Sequence, residues 1–373
     1  MAGVGTRYGK VGEVLGGLFG SGGRARISEM YDELCENWKQ GDHLIDIIGF
    51  SRGAALAVHF ANKIGEEGAN LADGSVERPR VRFLGVWDIV GSFGLSFDTI
   101  INFQDVNLGW DIDTVGCCVD RCFHAMALDE RRETFNVTRL DPDNEHETIR
   151  EVWFRGVHSD IGGGSGIEAR SNIALQWMLN QGQACGLTFD EIKAESPRYS
   201  KVDCFAGISE NKDVKTDPRR EVKPGDEIDP SAQGVKLAVG ERHQCEVLAE
   251  LKFNWSGVCV VKGASYKFAV AAGDIWKDGD VECGPGGWKS DELPWYKEGV
   301  VEFAERFRRV KEANWFALIG ALGDEDDNLF VIGDNSSPFP VRRDADLYLF
   351  ANNMKSKYGN NTGSLKVTIT RTA

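Results

Sequence analysis

Ser51, Asp88 and His158 are the residues of this 373-residue chain whose types, order and settings could form a nucleophile, an orienting carboxylate and a base. A serine hydroxyl is a poor nucleophile until a histidine takes its proton, and a carboxylate must hold that histidine in one tautomer. Ser51 stands in Gly49-Phe50-Ser51-Arg52-Gly53, after the apolar run Leu44 to Ile48 and before an Ala-rich stretch that begins at Ala54. The pattern predicts a nucleophile elbow, in which glycines let a strand turn directly into a helix and leave the hydroxyl beside backbone N–H groups. Arg52 supplies the backbone N–H expected of the oxyanion hole. Asp88 closes the apolar pattern Val81 to Trp87, and His158 closes the pattern Glu151 to Val157. The chain order Ser, Asp, His is that of α/β-hydrolases. His124, in Phe123 to Glu130, is the rival base; the apolar spacing there reads as helical, which favours a packed histidine.

The elements needed to place these groups follow from periodicity. Ile27, Met30, Tyr31, Leu34 and Trp38 share one helix face, residues 52–66 continue the elbow as a helix, and residues 171–182 form an amphipathic segment. Strand patterns alternate with these helices, which predicts an open, mostly parallel α/β sheet with active residues beyond the strands' carboxyl ends. The glycine-rich start, Met1 to Gly23, lacks the Lys-Ser or Lys-Thr of a phosphate loop and reads as a loop feeding a helix. Residues 187–244 are charged and irregular and read as the edge of the first domain and a connection. From about Cys245 the pattern changes to short β-like runs, among them Val258 to Val261, Leu347 to Phe350 and Leu365 to Thr370, separated by Gly, Asn and Asp turns. An all-β sandwich is expected there, giving domains at 1–240 and 241–373.

Composition narrows the function classes. A net charge of -15, from 58 acidic and 43 basic residues, argues against nucleic acid and against electrostatic attraction to an anionic membrane surface. No run is long enough for a transmembrane helix and no signal-peptide pattern opens the chain, so a soluble protein, cytoplasmic or exported without a signal peptide, is expected. The nine cysteines read as mostly reduced and buried. Cys117, Cys118 and Cys122 cluster without the spacing of a zinc pair, which favours packing over a metal.

Four successive motifs resemble the lipase-like domain of type VI secretion phospholipase effectors and their bacterial and fungal relatives. They are Gly49-Phe50-Ser51-Arg52-Gly53-Ala54, Phe83 to Ser92, His124 to Arg132, and Trp153 to Gly164, within residues 3 to about 232. The resemblance implies a triad of Ser51, Asp88 and His158, ester hydrolysis, and phospholipid acyl esters as the substrate class. Such domains open with a strand ending in Asp-Gly-Thr, whereas this chain starts downstream, at Gly3-Val4-Gly5-Thr6. The sheet is therefore expected to lack its first strand, and the oxyanion site is expected to be the weakest part of the machinery.

Residues 245 to 371 resemble the calcium-dependent galactophilic lectin of Pseudomonas and its β-sandwich relatives, through Trp315-Phe316-Ala317-Leu318-Ile319-Gly320, Leu347 to Asn353 and Tyr358 to Val367. The resemblance places calcium on Asn353, Asn360 and Asn361, with Lys357 at a backbone-carbonyl position. Asn353 stands where that lectin has an aspartate, so the set lacks its anionic ligand and should bind calcium less tightly. The lectin's sugar-contacting histidine has no counterpart, Asp291 lying near its place. The expected function is a serine ester hydrolase that needs no cofactor for catalysis, acts on a lipid or other ester, and is targeted to a glycan by a lectin-like domain. The alternative is a catalytically weak or inactive hydrolase domain serving a carbohydrate-binding or interaction protein.

Overall fold

The computed structural model describes residues 21–71, 73–91, 111–130, 135–140, 149–163, 168–189, 220–289, 305–334 and 337–373. The glycine-rich stretch up to residue 20, most of the charged 187–219 segment and Asp291 lie outside the described residues. Among the described residues the chain divides into two units, between Ala232 and Gln233.

The first unit begins with helix α1 (Ser21–Lys39), strand β1 (Ile45–Phe50) and helix α2 (Arg52–Glu67). A short hairpin, β2 (Ala69–Asn70) and β3 (Val76–Glu77), leads to β4 (Val81–Trp87), followed by β5 (Cys122–Ala127) and β6 (Ile149–Phe154). Helices α3 (His158–Gly162) and α4 (Glu168–Ala184) and strand β7 (Glu227–Ile228) complete it. The main sheet has the order β1-β4-β5-β6-β7, and every pairing is parallel. Both faces are covered, as a parallel sheet requires. Ile27, Tyr31, Cys35 and Trp38 of α1 join the α2 alanines against Ile47, Leu84 and Val86. On the other face Ala174 and Met178 of α4 pack on Phe83, Phe123, Ala125 and Phe154.

Two local expectations are corrected. The segment around His124 is strand β5, all six residues of which are buried, and not a helix. A strand covered on both faces is apolar throughout and loses the alternation that would distinguish it from a helix. Strand β6 ends at Phe154, so His158 opens the short helix α3 instead of closing the strand.

The second unit contains β8 (Arg242–Leu248), β9 (Asn254–Val260), β10 (Ser265–Val270), β11 (Trp276–Asp278) and β12 (Val281–Cys283). It continues with β13 (Leu318–Leu322), β14 (Leu329–Val331), β15 (Phe339–Pro340), β16 (Ala345–Ala351) and β17 (Asn361–Arg371). One sheet runs β12-β11-β17-β10-β15 with β8 also paired to β17; the other runs β14-β13-β16-β9. All these pairings are antiparallel. Val247, Tyr266, Val367 and Ile369 of the first sheet share one core with Val258, Leu318 and Leu349 of the second, which makes the unit a two-sheet sandwich.

Candidate active site

Ser51 sits in the tight junction between β1 and α2, with φ 61° and ψ −128°. A non-glycine residue with positive φ costs free energy and is held only where its surroundings over-determine it. Here its N–H donates to Trp87 O (3.0 Å), and its carbonyl accepts from Ala54 and Ala55 (3.0 and 3.2 Å). Gly49 is required by close approach, since a Cβ there would lie 2.6 Å from Gly53 O and 2.7 Å from Ala54 Cα. Arg52 is the first residue of α2, where a backbone N–H has no intrahelical acceptor.

The end of β4 brings Asp88 to the same rim. Its φ of 44° is also positive, and its N–H donates to Ala125 O at 2.8 Å. Its side chain is fully buried. His158 Nδ1 lies 2.6 Å from Asp88 Oδ2, and the His158 N–H donates to Glu130 Oε2 at 3.1 Å. The imidazole packs between two aromatic rings, Phe50 at 4.5 Å and Phe135 edge-on at 4.9 Å between centroids. Phe50 precedes Ser51, so the His158 ring rests on the residue next to Ser51. A Cβ on Gly162 would lie 2.1 Å from the Phe50 ring, which is why a glycine of the His-Ser-Asp-Ile-Gly run is needed there. Among the described residues no hydrogen bond joins the Ser51 hydroxyl to His158; catalytic hydrogen bonds often tighten only once substrate is bound.

Sequence reasoning missed Arg220, which no motif marks. Its Nη1 donates to Asp88 Oδ1 at 2.6 Å and its Nη2 to Asp88 Oδ2 at 3.0 Å. The same guanidinium also donates to Ala127 O at 2.7 Å and to Phe135 O. Ala127 N–H adds a further donor to Asp88 Oδ1, at 2.8 Å. Burial opposes the charge of Asp88, but the Arg220 charge and the hydrogen bonds from His158 and Arg220 outweigh it and hold the carboxyl well below the usual carboxylate range.

His124 is engaged elsewhere. Its Nε2 accepts the Ile89 N–H at 3.2 Å and its Nδ1 lies 2.9 Å from Glu151 Oε1. That assigns the proton to Nδ1 and leaves neither nitrogen for catalysis. Glu151 also accepts from Arg139 Nε (2.7 Å) and Leu140 N–H (3.0 Å). Its burial works against ionisation, yet the hydrogen bonds from His124, Leu140 and Arg139 keep its carboxyl low. Nearby, Asp129 holds Arg155 (2.8 Å) and the Gly156 N–H (2.8 Å), which fixes the turn that leads into His158. An open groove of about 980 Å³ runs along β1 to Ser51, walled by Met30, Leu34, Trp38, Ile48, Phe50 and Phe60.

Residues 1–74 and 67–181 match the family model described as T6SS, Phospholipase effector Tle1-like, catalytic domain. Residues 1–181, within the first unit, are thus similar to a Tle1-like catalytic domain. Arg220 lies beyond the end of that Tle1-like match. Among solved structures, the EclA N-terminal domain, described as a PllA-like lectin, is 18% identical with a TM-score of 0.26, covering 35% of this chain and 95% of that one. An uncharacterized protein from Pseudomonas aeruginosa is 28% identical with a TM-score of 0.27, covering 44% of this chain and 28% of that one. The Tle1 effector bound to the VgrG spike of the Type 6 secretion system is 26% identical with a TM-score of 0.26, covering 37% of this chain and 31% of that one. The chain thus spans less than a third of the length of the last two. No curated protein matches the chain.

The calcium set of the second unit comes together differently. Asn353 Oδ1 accepts the Met354 N–H at 2.7 Å, so its Nδ2 is the atom that faces Lys357 O and Asn361 Oδ1, each at 3.2 Å. Asn361 is oriented in turn by its own Nδ2, which donates to Ala249 O at 2.9 Å. Asn360 Nδ2 reaches Asp278 Oδ1 at 3.3 Å. The Asn353 amide N–H2 group thus faces two of the oxygens in the set, and the Asp278 carboxylate lies against Asn360 and Asn353. Among the described residues no group of three or more His, Cys, Asp or Glu could hold a metal. No described helix is long and apolar enough to cross a membrane.

Proposed function

We propose that the first unit is an α/β-hydrolase-like serine esterase of phospholipase type, with Ser51 as nucleophile, His158 as base and then acid, and Asp88 orienting His158. The observation that carries this reading is the 2.6 Å pair between His158 Nδ1 and the buried Asp88, with the imidazole lying on Phe50 beside the strained Ser51 junction. Because Nδ1 is held by Asp88, Nε2 is the nitrogen left to take the Ser51 proton. Ser51 Oγ attacks the ester carbonyl, and the Arg52 N–H stabilises the oxyanion. His158 then protonates the leaving alcohol, and water attacks the acyl-enzyme with the same base. The apolar groove leading to Ser51 suits an acyl chain. The Tle1-like family match supports a lipid substrate.

The test is covalent labelling by a fluorophosphonate together with turnover of a p-nitrophenyl ester and a phospholipid panel. The wild-type chain should label at Ser51, and Ser51→Ala should lose labelling and drop kcat by on the order of 10⁴ or more. Unchanged turnover in Ser51→Ala would sink the triad. The second unit, an antiparallel sandwich, is proposed as a lectin-like targeting module, for which binding of the full chain to immobilised galactosides is the direct check.

A further inference from the structure

We propose that Arg220 is a positioning residue for this reaction: its guanidinium spans both carboxylate oxygens of Asp88 and so fixes the oxygen that holds His158 Nδ1. The inference rests on the reading of Ser51, His158 and Asp88 as a triad, and it concerns a residue outside the Tle1-like match.

Asp88 is fully buried, and its carboxylate meets Ala127 N–H on one oxygen and His158 on the other. Arg220, whose side chain is only 7% exposed, is the group that grips both oxygens at once. A planar fork with two donors at 2.6 and 3.0 Å sets the plane of the carboxylate, which a point charge does not do. The remaining N–H groups tie the fork to Ala127 O, at the end of β5, and to Phe135 O. Phe135 is the residue whose ring lies edge-on to His158. One guanidinium thus reaches the orienting carboxylate, the neighbouring strand end and the backbone that carries the imidazole's aromatic wall.

A second arm from the same segment meets the next residue. Asp226 holds Arg139 through two bonds of 3.0 Å each, Arg139 holds Glu151 at 2.7 Å, Glu151 holds His124, and His124 accepts the Ile89 N–H. The 220–226 segment therefore braces Asp88 by its side chain and Ile89 by its backbone. The groups that bear on Asp88 are His158 and Arg220 directly, with Glu130 behind His158 and His124 behind Ile89.

A merely structural ion pair and a positioning residue differ in what they change. The full-length chain is compared with Arg220→Met and Arg220→Lys, using a fluorophosphonate for labelling and p-nitrophenyl butyrate for turnover across pH. The wild type should label at Ser51. Arg220→Met, folded by circular dichroism, should lose about 100-fold in kcat with KM unchanged. Its activity should also fall away at higher pH on the acid side, because Asp88 without the guanidinium takes up a proton more readily. Millimolar guanidinium ion should restore part of the rate of Arg220→Met. Should Arg220→Met fail to fold, Arg220→Lys keeps the charge and loses the fork, and its kcat should fall about 10-fold. A folded variant with wild-type kcat and pH profile overturns the positioning role, as does failure of both variants to fold, which would make Arg220 structural only. Absence of labelling in the wild type is a separate outcome, read without any variant, and it overturns the esterase reading itself.

Discussion

The two units each gather a knot of buried polar groups at the place where the sequence pointed, and the two knots are wired in opposite senses. Around Asp88 every acceptor is filled by a donor that fixes direction: Ala127 N–H and Arg220 on one oxygen, His158 and Arg220 on the other. The chain of bonds stops at His158, whose ring lies against Phe50, the residue before Ser51. Around Asn353 the bonds close on themselves, with Met354 N–H, Lys357 O, Asn361 and Ala249 O consuming both ends of two amides. A buried polar group costs free energy unless it is paired. The first knot ends at the His158 ring, next to the β1–α2 junction that carries Ser51. The second ties Asn353 and Asn361 to each other and to neighbouring carbonyls, a brace between β16, β17 and the turn between them.

The largest effect that would break this contrast is in the first unit. Asp88→Asn keeps the shape but removes the acceptor that fixes the His158 tautomer, and should lower kcat by on the order of 10⁴. It also leaves the Arg220 guanidinium buried without its anion, at a cost of about 3 kcal/mol in stability. Esterase kinetics and denaturant melts on the same preparation check both. A variant that lost stability but kept its rate would make the Asp88 knot a brace like that of Asn353.

Much of the first unit was legible because its chemistry is local in sequence. Gly49 and Ser51 follow directly from the strand, turn and helix they join, and Asp88 and His158 each fall just after an apolar run. Arg220 carried no such mark: it stands in a charged segment and acquires its role only when that segment crosses to the end of β4. His124 was misread for the complementary reason, because a strand buried on both faces has no periodicity to show. In the second unit β9, β16 and β17 were readable from their turns, whereas the seven-residue β8, with its largely polar sequence, fell partly within the stretch read as irregular. The three-residue β11 and β12 and the two-residue β15 were not, since so few residues establish no pattern. The state of the calcium set was legible only as a missing charge at Asn353; the closure of the amides on one another depends on Met354 N–H and Ala249 O, which sequence cannot place.

Acid should separate the two knots. In the first unit, burial opposes the charge of Asp226, but hydrogen bonds from Arg139, Trp153 and the Lys223 N–H hold its carboxyl down to about 2. Asp88 and Glu151 are lowered in the same network. Carboxyls depressed in the folded state contribute stability that is complete above their unfolded values near pH 4 and is lost as pH falls through the folded values. At the Asn353 knot the sign reverses: burial pushes Asp278 up, with hydrogen bonds that include those from Asn360 and Asn353 only partly offsetting it. Its penalty is paid at neutral pH and relieved as pH falls. Limited proteolysis with an acid-active protease between pH 5 and pH 2, read by mass spectrometry, should therefore show cuts in residues 81–228 before cuts in 242–371. The reverse order would contradict the account of both knots.

The smallest effect tests the closed knot most directly. Asn353→Asp cannot donate to Lys357 O or to Asn361 Oδ1, so the two oxygens that now share one amide N–H2 group would face a carboxylate oxygen in its place. Without metal the variant should melt below the wild type, since the buried Asn361 Oδ1 and the part-buried Lys357 O lose their donor. Calcium favours a carboxylate among several oxygens, and binding at ten times its Kd returns about 1.4 kcal/mol, a shift of a few degrees in Tm. Millimolar calcium should therefore raise the melting temperature of Asn353→Asp and leave the wild type unmoved, because in the wild type the Asn353 amide already satisfies the oxygens the ion would need. An equal shift in both proteins would show that the amide yields its place, and the contrast between an open and a closed knot would fail at its second half.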